Sequence, residues 1–500
     1  MVDLAFISPP TPSPAEHSEY SVMAPPLGIG YLAAMLRNAG HTVEAIDLAV
    51  SHNPVPDMID FLRRTQPKIM GFYLLTQNYY LTQKLLKLAK VQCPDTIAWA
   101  GGPHVSYEYE HALRGAGFDV VFIFEAEYSS VEVANVQLRG EGKLKNIAGI
   151  AFLEEDGTLI KTPTRERERT LDALPYPARD LFSINRYLRP GTIMSSRGCP
   201  LKCIFCVAST FEDAYRYRSP ENVFGEIKHM YNTWGVNDFY FVDNVFTTHR
   251  GRARKIAQMI RESGLPVGWY CVSRVDYVTP QLMQDLASGN CYRIELGVES
   301  ADLGVIDNMK KHIKIDQVRR AADIILNLGM QPMFTFQVGH PDDTPKSMEA
   351  TIKLMREMRE QGAGTYLSIT TPYPGTPLYL GLEKYGVTLE TQDWEDYRWS
   401  NPTYSTKNFK RDYLRRAVFE EAQALTEAIM AGKLKDPPSA PWLRFGKHPN
   451  GYVPPRPSNK RDPGTLRIEE RQSETPSRTV RLPVLQIKRD SLRRKERSPC

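Results

Sequence analysis

Cys199-Pro200-Leu201-Lys202-Cys203-Ile204-Phe205-Cys206 follows directly on an apolar strand, Thr192 to Ser196, and the turn Arg197-Gly198. The stretch decides the fold because it hangs three thiols on a loop at the carboxyl end of a strand, where a parallel barrel does its chemistry. Zinc sites normally recruit four ligands, often as two separated Cys-x-x-Cys pairs. Here one window supplies three thiols, with no second Cys or His cluster beside it. Three thiolates on a [4Fe–4S] cubane leave one iron open to a further ligand. A structural zinc or a metal-free triplet is the competing reading.

Downstream, strands are expected at about 192–196, 238–243, 267–272, 292–298, 331–338 and 364–371, with helical patterns between them. The clearest period begins at Glu221 and places Val223, Ile227, Met230 and Trp234 on one face. Six such units predict a partial (β/α)6 TIM-type barrel over residues 187–400. A helical C-terminal region at 401–436, with its helix over Arg411 to Ala431, and a Pro/Arg-rich tail at 437–500, expected to be disordered, complete the chain.

Upstream, strands Val2 to Ile7, Thr42 to Ile46, Ile69 to Leu75, Thr96 to Ala100 and Val120 to Phe124 alternate with helices at Leu27 to Asn38 and near Tyr80 to Lys90. Together they predict an α/β, doubly wound (Rossmann-like) domain over 1–145, with ligands beyond the strand ends near Pro9, Thr76, Gly102 and Glu125. Residues 146–186 read as a linker that contains a hairpin-like stretch around Asp156-Gly157, a charged run at Arg165 to Arg169 and a proline-rich segment at Leu174 to Ala178.

Five hundred residues suit two or three domains, and seven cysteines are too few for a disulfide framework. The net charge of +5 comes from the end of the chain: Gly451 to Cys500 holds 13 Lys/Arg against 6 Asp/Glu, and the other 450 residues carry 50 basic and 52 acidic side chains. The body therefore offers no global basic surface for nucleic acid. No apolar run reaches the roughly 18–20 residues of a membrane span, and the opening residues lack the basic flanks of an export signal, so a cytoplasmic location with no membrane partner is expected.

The cysteine spacing resembles that of the radical S-adenosylmethionine superfamily, where the amino and carboxylate groups of S-adenosylmethionine take the open iron. The resemblance implies nucleotide contacts at Phe205, at Asp243-Asn244 after the second barrel strand, at Glu299-Ser300 after the fourth and at Gln337 and Gly339 in Gln337-Val338-Gly339-His340-Pro341 after the fifth; Thr371 to Pro377 resembles the family's sixth-strand ending. Read alone, Asp243 could instead cap a helix, and Glu299 or Arg274 could form a structural ion pair.

The front segment is similar to the cobalamin-binding domain of cobalamin-dependent radical enzymes, by Gly101-Gly102-Pro103-His104, by the run Phe118 to Glu127 and by Leu174 to Asp180. It implies cobalamin contacts at Thr76, Gln77, Gly101, Gly102, Pro103, His104 and Glu125. Helix capping by Thr76 or Gln77 and a surface-exposed His104 are the alternatives. Two features depart from the pattern: no Asp-x-His-x-x-Gly supplies a histidine for cobalt, and the usual Gly-Glu-Gly-Glu reads Phe124-Glu125-Ala126-Glu127. A glycine's replacement restricts close backbone approach to a ligand.

The implied activity is methyl transfer from methylcobalamin to an unactivated carbon of a small specialised metabolite, after hydrogen abstraction by a 5′-deoxyadenosyl radical. An external one-electron reductant of the flavodoxin or ferredoxin type is implied as well. A non-methylating rearrangement, cyclisation or ring contraction is the alternative within the family, and a non-enzymatic iron–sulfur or corrin-binding protein the alternative outside it. A tRNA-modifying relative would carry a basic RNA-binding module, and only the tail is basic.

Overall fold

Leu4–Ser8 (β1) is buried along its whole length, as a central strand covered on both faces must be. Leu27–Asn38 (α1), Val43–Asp47 (β2), Pro54–Thr65 (α2), Ile69–Tyr73 (β3), Tyr79–Gln92 (α3), Ile97–Gly101 (β4), Val120–Phe122 (β5) and Glu127–Arg139 (α4) follow it. The five strands pair in parallel in the order β2-β1-β3-β4-β5, the doubly wound arrangement expected. Helix α2 escapes a sequence reading because Pro54 and Pro56 look like turn residues, yet proline in a first turn costs a helix no hydrogen bond. These elements come from a computed structural model that describes residues 1–10, 24–211 and 214–430, so the expected disordered tail lies outside the described residues.

The hairpin read as linker is present as Ile150–Leu153 (β6) and Leu159–Lys161 (β7), but it belongs to the front sheet. Strand β6 pairs antiparallel with β5, and β7 with β6. Ile150, Ala151 and Phe152 are buried there, and removing that apolar surface from water stabilises the pairing. The front sheet thus extends to Lys161, beyond the boundary at 145.

The second half opens with Gly191–Ile193 (β8), Ser196–Arg197 (β9), Ala208–Phe211 (α5), Arg216–Tyr217 (β10), Pro220–Trp234 (α6), Asp238–Phe241 (β11) and Arg250–Ser263 (α7). Gly268–Arg274 (β12), Pro280–Ser288 (α8), Cys291–Glu299 (β13), Leu303–Asn308 (α9), Ile315–Asn327 (α10), Gln331–Val338 (β14), Pro345–Glu360 (α11) and Gly364–Ile369 (β15) continue it. Strands β8, β11, β12, β13, β14 and β15 lie side by side in chain order, all parallel, with β8 and β15 as unjoined edges. That is the partial barrel the six units predict. Cys271 and Cys291 are buried in its apolar core.

Pro377–Leu380 (α12), Thr388–Leu389 (β16), Tyr404–Ser405 (β17) and Arg411–Met430 (α13) finish the described chain. Between β16 and β17 the chain returns to the front domain, where Trp394 and Tyr397 fill the core beside α3 and the Trp394 ring lies 4.7 Å from that of Tyr79. Among the described residues no helix is long and apolar enough to cross a membrane.

Helix α6 shows how local sequence sets the frame. The Ser219 hydroxyl accepts from Asn222 N, Pro220 starts the helix, and Gly235 ends it in the left-handed region at φ 71°. Val223, Ile227 and Met230 are fully buried, and Trp234 is half-buried. The apolar period does not announce Glu226 on the same side, where its carboxylate meets Arg179 at 2.7 Å and Arg218 at 2.5 Å, all three side chains being buried. Burial pushes the Glu226 carboxyl up, but the two guanidiniums outweigh it and hold the group below the usual range. Glu226→Ala would strand two buried cations and is expected to cost about 3–5 kcal/mol, read as a lower urea midpoint for the intact chain.

Candidate active site

Strand β9 pairs antiparallel with β10, Arg197 opposite Arg216 and Ser196 opposite Tyr217, and this short ribbon closes the loop that carries the cysteines. Within it the Cys206 N–H donates to Cys203 O at 3.2 Å, the Ile204 N–H donates to Met309 O at 3.2 Å, and Cys203 Sγ lies 3.9 Å from Lys310 O. All three thiols are free. Burial pushes Cys199 and Cys203 up, and Cys206 to about 11, while the charges of Lys311 and Arg274 pull Cys199 and Cys203 the other way. Thiolates are the ligand form, so a bound cation would complete what those two side chains begin. Among the described residues no three His, Cys, Asp or Glu side chains converge as a single ion requires. A cubane takes each thiolate on a different iron, so the donor set suits a cluster better than zinc.

Lys311 was not legible as a site residue. It lies between Lys310 and His312, both in the left-handed region at φ 59° and 54°, and its ammonium pairs with Glu299 at 2.6 Å. Gly297 makes room for that pair, since a Cβ there would stand 2.4 Å from Glu299 Oε1 and 2.5 Å from Lys311 Nζ. Glu299 is therefore placed beside the thiols, but held by a buried lysine. Arg274 is engaged by Asp276 at 2.9 Å and donates to Lys311 O at 2.8 Å.

The other positions expected to meet the nucleotide divide. Asp243 accepts from Ser195 N at 2.7 Å and from the hydroxyls of Ser195 and Ser196, both at 2.6 Å, so its carboxylate fastens the start of the cysteine loop instead of facing open space. Asn244 beside it is exposed. Ser300 is buried, its hydroxyl accepting from Asp302 N at 3.1 Å, which directs it into the fold. Phe205 lies edge-on to His340 at 5.4 Å. His340 is buried with both ring nitrogens unpartnered, and Gln337 Oε1 and Thr370 Oγ1 are unpartnered as well. Burial holds His340 neutral, its pKa pulled down to about 3. Buried polar groups without partners are costly, and these three stand at the ends of β14 and β15, as expected for groups that meet a ligand. Gly339, at φ 85°, is needed for a different reason: a Cβ would meet Leu414 of α13 at 2.8 Å.

On the front domain, Gly101 ends β4 with nothing within 4 Å of where a Cβ would project, which leaves space for a bulky ring. Gly102, at φ 122°, is fixed by the chain itself, because a Cβ would stand 2.4 Å from Leu74 O. Pro103 follows, half-buried. His104 is not a surface residue. It is buried, its Nδ1 3.2 Å from Thr76 Oγ1 and its ring 4.4 Å from that of Trp394, with Nε2 unpartnered. Burial and the neighbouring His111 pull its pKa to about 3, so the imidazole is neutral. Thr76 and Gln77 do not cap their turn; Asn78 Oδ1 does, accepting from Leu75 N at 2.8 Å. Gln77 instead donates to Tyr373 Oη at 3.0 Å. Glu125 departs furthest from a cobalamin contact: both its oxygens are taken by Arg216, at 2.5 and 3.1 Å, with Arg197 at 3.5 Å. Burial pushes its carboxyl up, and Arg216, Arg197 and Arg167 pull it below the usual range.

These contacts set the loops after β3, β4 and β5 against the cysteine loop and the end of β15. Tyr107 donates to Thr210 Oγ1 at 3.0 Å, and its ring occupies the place a side chain on Gly375 would need. A doubly wound domain tied by its ligand-binding edge to a partial barrel with a three-cysteine loop is a two-cofactor enzyme architecture. Residues 19–134 match the B12 binding domain and residues 193–355 the Radical SAM superfamily, so the chain belongs to the cobalamin-dependent radical S-adenosylmethionine enzymes, which use a [4Fe–4S] cluster, S-adenosylmethionine and cobalamin. It is 29% identical over 427 residues to an uncharacterized methyltransferase of Pyrococcus horikoshii, covering 84% of this chain and 91% of that protein. It is 26% identical to the anaerobic magnesium-protoporphyrin IX monomethyl ester cyclase of Rubrivivax gelatinosus, covering 76% and 69%. In fold it is similar to the cobalamin-dependent S-adenosylmethionine radical enzyme OxsB, with a TM-score of 0.69 at 17% identity over 89% of this chain and 70% of that one.

Gly101→Ala is expected to leave the thermal midpoint of the cobalamin-free protein in place and to lower cobalt retained after reconstitution, because the added Cβ has no protein atom within 4 Å. Each of Cys199→Ser, Cys203→Ser and Cys206→Ser is expected to abolish iron and sulfide uptake on anaerobic reconstitution.

Proposed function

We propose that this enzyme transfers a methyl group from cobalamin to an unactivated carbon of a small, polar-functionalised metabolite. The observation that carries the reading is the junction itself, where the open face at Gly101, the cysteine loop and the unpartnered His340, Gln337 and Thr370 belong to loops tied to one another. Cys199, Cys203 and Cys206 would hold the cluster. Phe205, Asn244, Glu299, Gln337 and the Gly339 turn would border S-adenosylmethionine, with Asp243 and Ser300 acting from behind. Thr76, Gly101, Pro103 and His104 would border cobalamin. When bound, these groups supply an electron, a hydrogen-abstracting radical and a methyl group, and the protein positions them and keeps water out. Neutral His340 can offer one donor and one acceptor, which favours a ligand with hydroxyl, amide or heterocyclic nitrogen groups.

The methyltransferase relative, matched over most of both chains, supports methyl transfer; the cyclase relative supports ring formation without it. A flavodoxin- or ferredoxin-type donor in the cytoplasm would supply the electron, and no nucleic acid is required. Product analysis separates the readings. Reduced holoenzyme turning over its substrate should form S-adenosylhomocysteine together with 5′-deoxyadenosine, and 5′-deoxyadenosine without S-adenosylhomocysteine would assign it to the cyclase type.

A further inference from the structure

Two arginines face each other across the ribbon that closes the cysteine loop. Arg197 and Arg216 are directly opposite in register and both are buried. Like charges so placed repel, and a ribbon with only two residues on each strand has little pairing of its own to resist them. The compensating charge comes from the other domain. Glu125 takes Arg216 at 2.5 Å and Arg197 at 3.5 Å, and Glu127 takes Arg197 at 2.6 Å. Arg167 stands 3.7 Å from Glu125, and Arg216 also donates to Glu168 O at 2.7 Å. On the barrel side Asp243 and Arg252 hold Ser195, immediately before the ribbon, and Asp243 also holds Ser196, the ribbon's first residue. Within the loop that the ribbon closes, Phe211 lies against Phe124 at 5.3 Å, the residue that precedes Glu125.

The mouth of the cysteine loop is thus gripped by its own barrel and by the end of β5, the front-domain edge where ligands bind. We propose that Glu125 and Glu127 are positioning residues: acting through Arg216 and Arg197, they fix where the [4Fe–4S] cluster stands relative to cobalamin. This rests on the two-cofactor reading and goes beyond it, since it turns two carboxylates that resemble a cofactor motif into the device that registers one cofactor against the other. A catalytic geometry misplaced by about 1 Å can cost on the order of a hundredfold in rate, so such a clamp would act on coupling between the cofactors before it acts on either alone.

The test is a distance measurement on holoenzyme carrying cob(II)alamin and the reduced cluster, both paramagnetic, by pulsed electron paramagnetic resonance. Glu125→Gln and Glu127→Gln should keep their iron and cobalt yet broaden or shift the cobalt-to-cluster distance distribution. Methylated product per 5′-deoxyadenosine should fall by about tenfold to a hundredfold. Arg216→Lys, which keeps the charge but loses the forked contact, should show the same change to a smaller degree and carries the test if Glu125→Gln does not fold. Glu132→Gln removes another front-domain carboxylate, paired with Arg165 at 2.7 Å away from the ribbon, and should leave the distribution as in the wild type. Unchanged distances and coupling in the glutamine variants would overturn the proposal, as would outright loss of the cluster in them or equal broadening in Glu132→Gln. Wild-type protein lacking either paramagnetic signal would instead sink the two-cofactor reading.

Discussion

The repulsion between Arg197 and Arg216 organises the junction. A loop long enough to present three thiols to one cluster has a large closure entropy to overcome, and here it is closed by a ribbon that brings two cations together. Compensation from Glu125 and Glu127 makes that closure conditional on the front domain being in place. Desolvated charges of this kind contribute little net stability against an apolar alternative, but they specify one arrangement among many. The buried Glu226 with Arg179 and Arg218 does the same one layer back, fixing the linker against α6 and the first barrel strand.

Glycine in this chain marks two different physical demands. At Gly102, Gly297, Gly339 and Gly375 a side chain would strike the protein itself, so the residue reports chain meeting chain. At Gly101 it would strike nothing, and the residue reports room for something else. Phe124 inverts the pattern: a bulky residue holds the left-handed conformation that favours glycine, at φ 64°. Such a conformation costs on the order of 1–3 kcal/mol. Its ring recovers part of that against Tyr107, Phe211 and Arg167, at the same junction.

The barrel and the front sheet were legible because parallel strands buried on both faces read as short apolar runs separated by helical periods. The cysteine loop was legible because its three cysteines are adjacent in sequence. What escaped was non-local. The hairpin at β6 and β7 could be seen, but not its partner β5; Glu125 could be seen as a motif residue, but not the three arginines that occupy it. Lys311 carries no sequence signal, because its importance comes from two left-handed neighbours and a glycine on β13. His104 reads as a loop histidine until Trp394, nearly three hundred residues later, covers it.

That return of the chain bears on biosynthesis. Trp394 and Tyr397 belong to the apolar core of the first domain to leave the ribosome. Until residue 397 has been translated, that core lacks two large aromatic rings, and the cavity they would fill stays open to water beside Tyr79 and His104. The front domain is therefore made first but completed late, so its cofactor edge acquires its final shape only once the barrel strands have been laid down.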